Sequence, residues 1–253
     1  MIRILVTNDD GVRSDGIKAL ADALGPLGEV TIVAPLAEAS AIGHALTLRR
    51  PLRLEQTADR TYAVDGTPSD CVNIAVTTVL KGMPSLVVSG INKGWNLGDD
   101  VTYSGTVSGA FEGALLGVPS IAVSLQYTAD LTFDFTEAAR AAHTVAQSVL
   151  QKGWPARSFL NINVPKGRTK GFRVTVQAKR NHVTTVNERT DPRGQRYFWI
   201  EEGQNDWEPH DRSDYQAVRD GYISVTPLQP DMTAYALLDT IEELSFASQA
   251  SVL

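Results

Sequence analysis

Two hydrophobic periods alternate through the first half of the chain. Ile2–Val6 is an apolar run ended by Thr-Asn-Asp-Asp-Gly, the pattern of a strand buried on both faces. Ile17, Leu20, Ala21 and Leu24 then recur at helical spacing, and Gly25-Pro26 ends that helix. Val30–Ala34 reads as a second buried strand, stopped by Pro35, and Leu86–Ser89 and Ile121–Ser124 as a third and fourth. Helices are predicted over Asp70–Leu80, capped by Thr67 with Pro68 in the first turn, and over Thr106–Leu116, ended by Gly117. This alternation predicts an α/β fold with a doubly wound, mostly parallel sheet. Ligands of such sheets bind beyond the carboxyl ends of the strands, which directs attention to Thr7–Gly11, Pro35–Gly43 and Gly90–Gly105.

The second half is less regular. Phe135–Gln151 reads as a helix, and Phe159–Val164, Phe172–Val176 and Tyr222–Thr226 as strands. Val183–Glu188 and Arg196–Ile200 flank Asp191-Pro192-Arg193-Gly194, whose Pro and Gly positions fit a type I turn. The expectation is a projecting β-hairpin with Tyr197, Phe198 and Trp199 exposed, a surface suited to contact with another subunit. Tyr235–Leu244 reads as a terminal helix.

Composition narrows the class. The chain has 253 residues, 43% hydrophobic and 21% charged, enough for one large α/β domain. Its formal net charge of −6, with no basic stripe, argues against polymeric nucleic acid as the principal partner. Cys71, the single cysteine, excludes an intramolecular disulfide and reads as a small buried hydrophobe. The apolar N-terminal run is too short for a signal-peptide core, and no apolar stretch is long enough to span a bilayer. The expectation is a cytoplasmic protein without membrane association.

Three segments carry candidate chemistry. In Asn8-Asp9-Asp10-Gly11, two adjacent carboxylates raise each other's pKa unless a cation or donor sits between them. Hard divalent cations favour such oxygens, but the same four residues also suit a capped turn. Ser40 follows the second strand and is either a simple polar loop residue or, by strand order, a neighbour of the acidic turn, while His44 is a ligand, a general acid, or a residue that packs and hydrogen-bonds. From Ser89 to Thr106, glycines, asparagines and hydroxyl residues fill a strand-to-helix connection. Ser104-Gly105-Thr106 there either only caps the following helix, through Ser104 or Thr106, or presents unpaired N–H groups and a positive dipole end to a phosphate. Trp95 either stacks on a base or fills a pocket wall. No P-loop, dinucleotide fingerprint, nucleophile elbow or H-E-x-x-H occurs. An aspartyl-phosphate phosphatase needs its nucleophile two residues before a second Asp, and here the carboxylates are adjacent. A receiver domain needs an Asp ending a later strand, which Leu86–Gly90 lacks.

Val6–Gly11, Gly66–Val72, Ser89–Asn92, Asn96–Val101, Tyr103–Val107 and Tyr222–Leu228 together resemble the SurE (survival protein E) family, in order and across the chain. The resemblance implies one Rossmann-like unit over residues 1–253. Its core spans about 1–130, and a hairpin near 181–202 and a C-terminal extension near 222–253 meet other subunits in a homodimer or homotetramer. It implies a 5′-nucleotidase releasing phosphate from nucleoside 5′- and 3′-monophosphates by a metal-activated water, with polyphosphate as a further substrate. One Mg²⁺ or Mn²⁺ per subunit would be held by Asp9, Asp10, Ser40 and Asn92, with Asp9 or Asp10 as base. Asn96, Ser104, Gly105 and Thr106 would contact phosphate. Two positions depart from the common family pattern: Ser14-Asp15-Gly16 at the first helix, and Ser40-Ala41 where Ser-Gly is frequent.

Overall fold

The computed structural model of the chain describes residues 1–127, 132–181, 184–202 and 206–244. The apolar runs become strands β1 (Arg3–Thr7), β2 (Glu29–Pro35), β5 (Leu86–Lys93), β6 (Ser120–Leu125) and β7 (Phe159–Val164). Between β2 and β5 lie β3 (Leu54–Ala58) and β4 (Thr61–Val64), and beyond β7 lie β8 (Phe172–Val174) and β13 (Ile223–Leu228). These form a nine-stranded sheet ordered β3-β4-β2-β1-β5-β6-β7-β13-β8. The six strands from β4 to β7 run parallel, while β3 on β4 and β13 on β7 are antiparallel.

Alternating side chains feed two cores, which is why the central strands read as nearly continuous apolar runs. Ile4, Val6, Leu86, Val88, Ile121 and Val123 face α1 (Asp15–Leu24) and α4 (Thr136–Lys152). Leu5 and Val87 face the other way, toward α2 (Pro68–Ile74), and Ala122 toward α3 (Gly105–Leu115). The predicted helix over 70–80 is α2 continued by a π-turn over Ala75–Val79, with Thr67 and Asp70 forming a reciprocal capping box. Cys71 is buried there. Among the described residues no helix is long and apolar enough to cross a membrane.

Strand order reverses at β1: the chain first proceeds outward through β2 and β4, then returns to β5 on the other side. The ends of β1 and β5 flank that reversal, where a crevice is expected. Gly16 sets how closely α1 lies against β5, since a Cβ there would sit 2.2 Å from the Ile91 carbonyl oxygen. Gly16→Ala is therefore expected to destabilise the fold by about 3 kcal/mol, because backbone cannot rotate out of the way. Urea unfolding measures this, and a loss below about 1 kcal/mol would show that α1 is free to shift.

The hairpin forms from β10 (Thr184–Thr190) and β11 (Arg196–Glu202), with Asn187 opposite Trp199 and the predicted turn closed by Gly194 N–H on the Asp191 carbonyl. Val183, included in the predicted strand, lies outside the described residues, as do 245–253 of the C-terminal extension. Tyr197, Phe198 and Trp199 are exposed as expected. At the hairpin base, β9 (Arg180–Asn181) pairs with β12 (Asp206–Trp207), and α5 (Asp214–Arg219) follows. The predicted terminal helix is a 3-10 turn over Tyr235–Leu237 leading into α6 (Leu238–Glu242).

Candidate active site

β1 ends in a turn built by its own polar side chains. The Asn8 amide donates to the Gly11 carbonyl at 3.0 Å, and Gly11 adopts φ 95°, in the left-handed region. The turn is thus capped, and its two carboxylates face the crevice. Asp9 is 5% exposed and lies against the start of α3, where Thr106 donates its hydroxyl to Asp9 Oδ1 and its backbone N–H supports the same carboxylate. Burial pushes the Asp9 carboxyl up to about 6; the Thr106 hydroxyl opposes this and the charge of Asp10 adds to it. Burial also raises Asp10, against the nearby Lys93 ammonium and backbone N–H. The expected mutual repulsion is therefore a secondary cause: water exclusion at the strand end dominates. One Asp10 oxygen, Oδ2, is buried with no hydrogen-bond partner.

A cleft of about 830 Å³ brings Asp9, Asp10, Ser40, Asn92, Asn96 and Ser104 together. A bulge after Ser89 shifts the β5–β6 register and places Asn92 at the strand end. The Asn92 amide nitrogen is used on the Gly94 carbonyl at 3.0 Å, which leaves its side-chain oxygen as the acceptor. Ser40 donates to Glu38 at 2.6 Å, so its oxygen lone pairs remain. The next residue, Ala41, holds φ 52°, the left-handed backbone that a glycine would take more readily. The loop keeps that conformation without the Ser-Gly pair.

Ser104 caps α3 by accepting from Val107 N–H at 3.0 Å, which leaves its own proton to donate. Gly105 brings the helix start onto Asp9: a Cβ would fall 2.7 Å from Asp9 Cβ. Thr106 is fully buried and serves Asp9 rather than lining the cleft. Asn96 is gripped from below. Its N–H donates to Asn163 Oδ1 at 2.8 Å, its carbonyl accepts from Asn161 and Asn163, and its side chain donates to Ser124. His44 is not in this cluster. It bonds Glu112 at 2.6 Å and packs on Phe111, which matches the packing reading rather than a ligand or general acid of this cleft.

Sequence reading missed Glu38, Lys93, Asp100 and Arg180, which also line the cleft. Arg180 pairs with Asp100 at 2.9 Å, tying the hairpin base to the glycine-rich connection. Asp214, fully buried, adds a second tie through N–H donors from Gly98, Ala178 and Tyr215. Position after a strand singles out Lys93 only once β5 is known to run four residues beyond Ser89.

The donors suit a hard divalent cation. Two carboxylates, an amide oxygen and a hydroxyl oxygen share one cleft, and a buried carboxylate oxygen lacks a partner. Among the described residues, no three His, Cys, Asp or Glu side chains gather as a metal cage, so neutral oxygens and waters would complete the shell.

A family model described as Survival protein SurE matches residues 4–184. The chain is 49% identical over 242 residues to the 5′-nucleotidase SurE of Syntrophotalea carbinolica, covering 96% of this chain and 97% of that protein. It is 51% identical over 243 residues to the 5′-nucleotidase SurE of Pelobacter propionicus, covering 95% and 98%. The crystal structure of the SurE protein from Aquifex aeolicus matches with a TM-score of 0.85 at 43% identity, over 95% of this chain and 98% of that one.

Proposed function

This chain belongs to the SurE family, and from that premise we propose that it hydrolyses nucleoside 5′- and 3′-monophosphates to nucleoside and phosphate, using one Mg²⁺ or Mn²⁺ per subunit. The observation that carries the proposal is the partnerless buried oxygen of Asp10, in the same cleft as the start of α3. Asp9, Asp10, Ser40 and Asn92 hold the cation in this reading. When bound, the cation supplies Lewis acidity and an acidified water for attack on phosphorus. It also answers an electrostatic need, because Asp9, Asp10, Glu38 and Asp100 make the cleft hostile to a phosphate dianion.

The chain's own donors do the remaining work. Ser104 hydroxyl, Gly105 N–H and Asn96 hold the phosphoryl oxygens and the charge that develops on them. Thr106 acts through Asp9, fixing the carboxylate that, with Asp10, is placed to accept the water's proton. Lys93 adds a positive charge at the same rim. The whole chain works as one unit whose hairpin and C-terminal extension meet further copies, consistent with the exposed Tyr197, Phe198 and Trp199.

Phosphate release from a panel of 5′- and 3′-nucleoside monophosphates, with polyphosphate as a separate arm, tests this. A chelator is expected to abolish release and added Mg²⁺ or Mn²⁺ to restore it. Release that persists undiminished in chelator would remove the cation from the reading.

A further inference from the structure

Resting on that reading, we propose that Trp95 is the stacking platform for the nucleobase, making a base subsite that accepts all four bases. Trp95 lines the same cleft as Asp10, Asn92 and Ser104. It stands three residues beyond Asn92, at most about 11 Å along the chain, within the span of one nucleoside monophosphate. Its indole is anchored at the edge, where Nε1 donates to the Val164 carbonyl at 3.3 Å. That bond fixes the ring plane and uses the only donor the ring has.

The other aromatic groups of the cleft narrow the choice. Phe133 is already engaged, stacked on Phe135, met edge-on by Tyr127 and approached by the Lys93 ammonium at 5.9 Å. Tyr103 is 58% exposed with no ring partner, and it stands as a second wall of the cleft. Trp95 makes no ring or cation contact among the described residues, so a fixed indole is left without an aromatic cover. A cleft with a phosphate pole at one place and an anchored, unstacked indole at another matches a ligand with an anionic end and a flat aromatic end. Stacking on a π-face is available to every base, so the subsite grips without choosing among them.

Such binding persists unchanged from substrate to transition state, so its loss raises KM and leaves kcat alone. The test compares AMP, GMP, CMP and UMP with ribose 5-phosphate, which lacks a base, on wild type, Trp95→Ala and Trp95→Phe in saturating Mn²⁺. Trp95→Ala is expected to raise KM for every nucleotide by roughly ten- to a hundredfold, with kcat within about twofold. Ribose 5-phosphate kinetics should stay within about twofold, and Trp95→Phe should retain most of the affinity. AMP, and not ribose 5-phosphate, should also quench a component of wild-type indole fluorescence that Trp95→Phe lacks; this measurement stands even if the alanine variant does not fold. Equal losses on AMP and ribose 5-phosphate would make Trp95 merely structural and overturn the proposal, as would unchanged nucleotide KM. A wild type inert on all five substrates would instead overturn the phosphatase reading beneath it.

Discussion

Asp10→Asn is expected to lower phosphate release on the order of a thousandfold while the chain stays folded. The substitution keeps the volume but removes a charge whose Oδ2 has no protein partner, the atom a cation would claim. Stability should move the opposite way, and Asp9→Asn shows this most clearly. Asp9 is held at about 6 against an ordinary 3.8, so its folded carboxyl keeps a proton that the unfolded chain releases. Below pH about 4 both states are protonated and nothing is lost. Between about 4 and 6 the wild type loses stability as pH rises, and above 6 the full cost of roughly 3 kcal/mol stands. In metal-free buffer Asp9→Asn should therefore exceed wild type by about that amount at pH 8 and match it near pH 4. Urea melts across this range measure the difference; a variant less stable than wild type at pH 8 would contradict the cost assigned to burial. The site is thus tuned against stability, as functional carboxylates commonly are.

Gly105→Ala is expected to reduce kcat about a hundredfold and to cost about 1–3 kcal/mol of stability. Gly105 opens α3 without a left-handed backbone, so the substitution meets no strain in the main chain itself. The added methyl would nevertheless meet Asp9 Cβ at 2.7 Å, Asp9 Oδ2 at 2.9 Å and the Ala39 carbonyl at 3.2 Å. Asp9 or the Ser40 loop must yield, and either shift loosens the proposed ligand set. Turnover together with calorimetric Mn²⁺ titration would show both affinity and kcat falling. Near-normal values would mean that α3 can slide away from β1 without consequence.

The central sheet was readable because β1, β2, β5 and β6 pack helices on both faces and so are mostly apolar along their length. The strand pair β3–β4 escaped notice for the opposite reason. Leu54–Ala58 is exposed throughout, and an edge strand facing water needs no apolar period. The six-residue α5 is too short to show periodicity, and its role comes from one buried carboxylate rather than a stripe. At the site, Asp9, Asp10, Ser40, Asn92, Asn96 and Ser104 are legible in the sequence and line one cleft, while Gly105 and Thr106 lie behind its wall. Their proximity follows from the reversal of strand order at β1. Glu38, Lys93 and Arg180 were not legible, because sequence does not say which charges on a loop turn inward. Thr106 was legible as a helix start but not as the partner of Asp9, a contact between positions 97 residues apart.

The clamps beneath the glycine-rich connection bear on the order in which the protein matures. Asn96 is held by Asn163 and Gly98 by Asp214, contacts spanning 67 and 116 residues. Contacts this distant close late, since the intervening chain must first lose its freedom. A ribosome-bound chain that has exposed only its first half can therefore pair β1, β2, β5 and β6 but cannot fix the connection in its final shape. Only the N-terminal strands of the sheet are then available to pair, and competence for catalysis is expected only when the segment carrying Asp214 arrives.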